Sequence, residues 1–301
     1  MWVVILIVAL VPPILLAAIA LQRAPSLSQF SLTTLALALG LLFCWVMLPW
    51  DAVSVYYRWL IALLFLLALY RGYTRIGTAA REMPRWQRWV NTNINLGLIV
   101  FFAVLSWAGL KGYPAPSETI ALSSPLGEGR FVVRQGGGSP FINIHAKVQP
   151  QNYALDILGL NSWGASSALP DKENSLARYA IFGAEIIAPC DGHVVVARDG
   201  LDDLEPGKTD KENLAGNHVV VACLGAEIVL AHMQKGSVQV ARGDRVRTGE
   251  LLGRVGNSGN TSEPHLHMHA ERGGETGRIL DGEAVAFTID GRYLVRGDII
   301  R

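Results

Sequence analysis

Every long apolar run in this 301-residue chain lies before Lys111, and nothing after that residue repeats the pattern. Crossing the hydrocarbon core of a bilayer as a helix takes about 20 apolar residues. Four stretches are apolar for long enough: Trp2–Leu21, Leu32–Trp50, Val53–Tyr70 and Ile94–Leu110. The third is the weakest, with Arg58 in its first turn, where a long side chain snorkels to the headgroups. Pro12-Pro13 kinks the first without preventing a span. That first run has no basic start and three further spans follow it, so it reads as an uncleaved helix rather than a signal peptide. The 50% share of hydrophobic residues is therefore an average over two unlike parts.

Arginines give the spans a direction. Arg71, Arg75, Arg81, Arg85 and Arg88 crowd the loop between the third and fourth runs, against the single acid Glu82. Such loops stay cytoplasmic. The reading is a multi-pass protein of the cytoplasmic (inner) membrane, with both termini and the C-terminal domain outside the cytoplasm. No charge lies deep in a span, which removes support for transport or proton relay. Membrane lipid is thus one partner, and a membrane-protein partner is left open. A net charge of +1, with no basic stretch interleaved with aromatics, argues against a nucleic-acid partner.

Residues 1–111 are read as the membrane domain and 112–124, with Tyr113-Pro114-Ala115-Pro116-Ser117, as a linker that cannot continue a helix. Residues 125–301 carry a β signature. Arg130–Arg134 and Phe141–His145 alternate, and Ala154–Leu158 is short and apolar. Glu185–Ala188 precedes the turn Pro189–Gly192 and the strand His193–Arg198. Asn217–Cys223 and Glu227–His232 form a hairpin about Leu224-Gly225-Ala226. Strands this short and frequent, without a long amphipathic helix, predict an all-β barrel or sandwich. Asn161–Tyr179 and Asp199–Gly216 read as loops. The acids of the second, Asp202, Asp203, Glu205, Asp210 and Glu212, match no EF-hand spacing and read as solvated beside a cleft. Cys190 and Cys223 read as two small buried residues rather than a pair, and no Cys-x-x-Cys is present.

The chemistry concentrates in Pro264-His265-Leu266-His267-Met268-His269, after the turn Gly256-Asn257-Ser258-Gly259-Asn260. On an extended strand His265, His267 and His269 share one face. Three imidazoles on one face are costly as ordinary core and suited to a divalent metal. Upstream, Gly243 and Gly249 mark turns within Val240–Gly256, while Val240, Val246, Leu251 and Val255 supply inward positions. That pattern alone also fits a lipoyl or biotinyl carrier, but no lysine sits at a suitable hairpin tip and the histidines would be unexplained.

Joined to Ala231-His232-Met233 before it and the histidine strand after it, the run Val240–Gly256 resembles the lysostaphin-like zinc metallopeptidases, murein endopeptidases of the duplicated hybrid motif family. The resemblance covers roughly Asn143–Ala270 and includes Ala188–Gly192 and Gly216–Val221 in the same order. It implies a barrel-sandwich peptidase domain holding Zn²⁺ through a His-x-x-x-Asp pair and the second histidine of His-x-His. The latter two are Asp156 and His267, but Asn152 stands where the first histidine belongs. An amide is a poor zinc ligand. His145 is the candidate replacement, at the end of the expected strand Phe141–His145. Gln151–Asp156 is similar to a Gln-x-Tyr-Ala-x-Asp branch with an upstream histidine.

The expected metal ligands are therefore His145, Asp156 and His267, with His232 and His265 as catalytic residues flanking the ion. The sequence does not say which of the two handles the proton. His269 reads as a supporting or structural residue, and His193 and His218 as structural. Asn257, Ser258, Asn260 and Thr261 fit either substrate contacts or turn chemistry. The implied activity is that of a membrane-anchored zinc endopeptidase, hydrolysing peptide crosslinks of cell-wall peptidoglycan through metal-activated water. The alternative, favoured by Asn152, is an inactive peptidase-like module that binds wall peptide or regulates another hydrolase.

Overall fold

The computed structural model describes residues 2–78, 84–169 and 175–301. Arg81 and Glu82 of the arginine-rich loop, and part of the Asn161–Tyr179 loop, lie outside them. The chain divides into two compact units, Met1–Leu110 and Lys111–Arg301.

The first unit is helical: α1 (Trp2–Leu21), α2 (Leu27–Met47), α3 (Tyr57–Tyr73) and α4 (Arg85–Leu110). Three of these, α1, α2 and α4, are long and apolar enough to cross a membrane. The expected third span shortens to the 17 residues of α3, because Trp50–Ala52 forms a 3-10 turn and the helix restarts only at Tyr57. α2 and α4 begin earlier than expected, at Leu27 and Arg85, since Ser, Gln and Asn are tolerated in helices though they lower hydropathy. Ser26 caps α2 by accepting from the Gln29 N–H. Val8, Leu16, Ile19, Cys44, Trp50, Ile61 and Ala68 make the inner cluster. Gly72 lets the α3 backbone approach the Ile19 carbonyl where a Cβ would collide. Asn95 donates to Thr33 Oγ1 at 3.2 Å, and Tyr57 to the Ala9 carbonyl at 3.0 Å.

The second unit contains thirteen strands: β1 (Ile120–Leu122), β2 (Phe131–Gln135), β3 (Leu155–Gly159), β4 (Glu185–Ile187), β5 (Gly192–Arg198), β6 (Asn217–Cys223), β7 (Ala226–Met233), β8 (Arg245–Val246), β9 (Leu251–Arg254), β10 (Leu266–Arg272), β11 (Glu283–Ala284), β12 (Phe287–Ile289) and β13 (Ile299–Ile300). Nine form one antiparallel sheet in the order β13-β2-β3-β10-β7-β6-β5-β8, with β11 also on β10. Of the expected barrel or sandwich, the described strands form no closed barrel: the large sheet is open. Its end strands, β13 and β8, have two residues each and pair only inward. β4 pairs with β9, and β1 pairs parallel with β12, which draws part of the expected linker into the β unit.

The β6–β7 hairpin turns on Leu224 (φ 52°) and Gly225 (φ 71°), the double positive φ of a two-residue loop matched to strand twist. The central strands are buried on both faces. Leu155, Ile157, Ile228, Leu230, Leu266, Met268 and Ala270 feed the main core. Full burial of each of the larger ones contributes about 1.5–3 kcal/mol before chain entropy is charged. Within Val240–Gly256, Leu252 rather than Leu251 is the fully buried leucine. Cys190 and Cys223 form a disulfide, contrary to the expectation of two separate thiols; the antiparallel pairing of β5 and β6 brings the turn before β5 beside the end of β6.

Candidate metal centre

The site is built on the β3–β10 pair. In that register His267 stands directly opposite Asp156, and Leu266 and Met268 oppose Ile157 and Leu155. Opposed side chains on one face lie within contact reach. His267 Nδ1 is 2.9 Å from Asp156 Oδ1. On the other side of β10, His267 is paired with Ala231, whose methyl leaves room for the ring.

His145 arrives by a route other than the expected strand. Ile144–Lys147 is a short 3-10 helix, and no strand covers Phe141–His145. Its cap is Asn143, fully buried, whose Oδ1 accepts from the His145 N–H at 3.1 Å. The Asn143 amide donates to the carbonyls of Gly137 (2.9 Å) and Ala154 (3.1 Å), which ties the helix to the start of β3. The His145 ring then reaches Asp156, with Nε2 2.9 Å from Oδ2. Its Nδ1 lies 3.1 Å from Gln151 Oε1; donation there leaves Nε2 as the nitrogen free for a metal. Asn152 takes no part, its amide donating to the Ala146 carbonyl at 3.0 Å.

One potential ligand atom each from His145, Asp156 and His267 lies within 4.8 Å of the others, and the same holds for His232, His265 and His267. The five residues thus form one cluster around His267. His232 is aimed by a β-bulge: the β6–β7 register shifts between Asn217 and Val219, and His232 adopts φ 62°. A non-glycine residue in that region costs of order 1–3 kcal/mol and needs firm support. Here the His232 N–H donates to Ala215, its carbonyl accepts from Gly256, and Nδ1 lies 2.9 Å from the Ser258 carbonyl. His265 places Nδ1 2.8 Å from the Glu263 carbonyl and Nε2 3.5 Å from Asp156 Oδ1.

Environment separates these groups electrically. Burial, together with repulsion from His265 and His267, holds His232 well below an ordinary imidazole. Burial also pushes His267 down to about 4, against the pull of Asp156. For His265 burial is outweighed by the Asp156 charge and hydrogen bonding, so its pKa rises. Burial would raise Asp156, but the facing His265 and His145 rings hold it well below the usual carboxylate range.

The surrounding loops separate the residues that fit either substrate contacts or turn chemistry. Asn257, Ser258 and Thr261 are buried and bond to Leu204, Met233 and Glu263, so they are turn residues; Asn260 is exposed and lines the cleft. That cleft is about 210 Å³ and reaches His145, His232, His267 and His269. Asp203, in the loop read as solvated, accepts from the Asn257 and Lys235 N–H groups and so braces the segments on either side of the site. Gly216 and Gly259 permit backbone-on-backbone packing there, each at positive φ. Sequence reading passes over Asn143 and Glu271. The signal for Asn143 is a capping residue two before His145, and for Glu271 it is the same strand parity as the histidines.

Residues 175–279 match the family described as Peptidase family M23. This segment is a Peptidase M23 domain. The match takes in His232, His265 and His267 and begins after His145 and Asp156, which the fold supplies from upstream. No curated protein matches the chain. Among solved structures, the chain is similar to a zinc containing peptidase from Vibrio cholerae, with 20% identity over 52% of this chain and 35% of that one (TM-score 0.26). It is also similar to the antimicrobial peptidase lysostaphin from Staphylococcus simulans, with 18% identity over 32% and 39% (TM-score 0.23). A third is Csd3 from Helicobacter pylori, with 21% identity over 56% and 36% (TM-score 0.30). The chain spans 35–48% of the length of the first solved chains it matches.

Proposed function

We propose that the β unit is a zinc-dependent endopeptidase, held at the cytoplasmic membrane by the helical unit and hydrolysing peptide crosslinks of bacterial peptidoglycan on the outer side. One observation carries this reading: two imidazoles and a carboxylate, from His145, Asp156 and His267, converge although they come from three separate segments. Two nitrogens and one oxygen are a donor set that catalytic zinc accepts, with a position left for water. Zinc held there would lower the pKa of a bound water toward ~7 and polarise the scissile carbonyl.

The flanking histidines divide the remaining work. His232 is neutral, and donation of Nδ1–H to Ser258 leaves Nε2 as a proton acceptor. It takes the proton of the attacking water and returns it to the departing amine. His265 lies in the same cluster, with Nε2 3.5 Å from Asp156 Oδ1, and in its protonated form donates Nε2–H to the oxyanion that develops on the carbonyl.

Anchoring rests on the helices. α1, α2 and α4 have spanning length, and α3, at 17 residues, is at the lower limit of ~17–25 residues for a fourth span. Arg71, Arg75, Arg85 and Arg88 flank the segment between α3 and α4 and favour a cytoplasmic position for it. The Cys190–Cys223 disulfide supports an oxidising compartment for the β unit. The test is zinc content and cleavage by the full-length chain in detergent. About one zinc per chain and conversion of crosslinked muropeptides, read by mass spectrometry, are expected, with both lost in His145→Ala. Zinc without cleavage of any crosslink would favour the inactive wall-binding reading, and absence of zinc after reconstitution rejects both metal and hydrolysis.

A further inference from the structure

The strand that supplies His267 carries two more polar residues on the same face, and the proposed mechanism uses neither. His267 turns Nδ1 toward Asp156, so Nε2 points away from the cluster. There it meets His269 Nδ1 at 3.1 Å. His269 is 2% exposed, and its Nε2 has no hydrogen-bond partner among the described residues. That nitrogen faces Oε1 of Glu271 at 3.8 Å. Glu271 is itself 3% exposed, its carboxylate fixed by the N–H groups of Leu280 (3.1 Å) and Gly282 (3.0 Å). Holding the 280–282 loop accounts for the carboxylate. It does not account for a buried imidazole with one nitrogen unpaired, which is costly relative to an apolar residue of the same shape.

We propose that His269 and Glu271 are positioning residues for the metal ligand His267, forming an ordered His267–His269–Glu271 chain. This rests on the zinc reading of the site. A neutral imidazole that offers Nδ1 to a cation must carry its proton on Nε2. The proton then needs an acceptor, and His269 Nδ1 is the atom in place. His269 in turn carries its proton on Nε2, which faces the Glu271 carboxylate at 3.8 Å. At that distance Glu271 acts as a charge rather than a hydrogen-bond acceptor, favouring the Nε2–H form of His269, and the His269 Nδ1 contact in turn orients the ligand ring, where the partner of a metal-bound histidine is more often a single group.

The experiment measures zinc affinity of the full-length chain in detergent by competition with a chromophoric chelator. His269→Phe keeps the ring volume and removes the acceptor, and a 10–100-fold loss of affinity is expected. His269→Asn places Oδ1 near the former Nδ1 and should retain most of the affinity. Glu271→Gln should fall between them. Wild-type affinity in His269→Phe overturns the proposal, and so does an equal loss in His269→Asn, which would mark packing rather than hydrogen bonding. Should the Phe variant fail to fold, imidazole ¹⁵N–¹H correlation spectra of the zinc-loaded wild type decide. Protons on Nε2 of both His267 and His269 support the chain, and a proton on Nδ1 of His269 overturns it. If the wild type binds no zinc, the reading of the site fails first; if it binds zinc and His269→Phe binds equally well, only this proposal fails.

Discussion

Leu266, Met268 and Ala270 point to one side of β10, and His265, His267, His269 and Glu271 to the other. Both sides are buried from Leu266 to Glu271, and His265, just before the strand, is partly exposed. The apolar side needs only volume and shape from its neighbours, because burial of hydrocarbon is non-directional. The imidazole side needs aimed polar neighbours, and the molecule brings them from distant places: Asp156 on β3 bonds His267, while His145 from a 3-10 helix and His232 from a bulge pack against its ring. Equal burial therefore carries opposite meanings. One side stabilises the fold, and the other is a cost that a function must justify.

The two sides should fail differently when altered. His267→Ala is expected to abolish stoichiometric zinc and reduce hydrolysis by more than the roughly 100-fold that loss of a supporting partner costs, while thermal unfolding of the metal-free chain still shows a cooperative transition. His232→Ala should keep its zinc and lose about 10²–10⁴-fold in turnover of a crosslinked muropeptide. On the opposite side, Met268→Ala should cost about 2–5 kcal/mol of stability through the cavity it leaves. Zinc content of the folded fraction should not change. A Met268→Ala chain that folds normally but has lost its metal would erase the distinction between the faces.

The faces were not equally legible in the sequence. Period-two alternation from His265 to His269 placed three rings together and required nothing from the rest of the fold. Asp156 was visible because a carboxylate within an apolar strand demands a partner. The path of His145 was not visible. Alternation in Phe141–His145 suggested a strand, whereas the Asn143 cap and its bonds to Gly137 and Ala154 turn that stretch into a 3-10 helix. Local pattern does not report a side chain that bonds to backbone eleven residues away. The same limit applies to the Cys190–Cys223 bond, which depends on strand pairing, and to the open edges of the sheet, which depend on where β8 and β13 stop. In the helical unit hydropathy located the apolar segments but not their ends, since α2 and α4 extend past the apolar windows.

A smaller and more diagnostic difference between the faces is their response to acid. In the metal-free chain burial depresses His267 to about 4 from an unfolded value of 6.5 and also depresses His232. A depressed imidazole contributes stability that is complete above its unfolded pKa and is lost as pH falls toward its folded one, because the unfolded chain binds the proton more readily. His265 has the opposite sign: raised by Asp156, it contributes stability below its unfolded value that fades as pH rises through the folded one. Burial depresses His218 in the same direction, so three groups oppose one, and the net expectation is a decline in unfolding free energy as pH is lowered from 6.5 toward about 4. Met268→Ala adds no titratable group and should lower the whole stability–pH curve in parallel. His267→Ala removes one of the three depressed imidazoles and should flatten the curve across that window. Denaturant unfolding of the metal-stripped chain at a series of pH values reads both, and parallel curves for the two variants would mean that the imidazole face carries no electrostatic cost of its own.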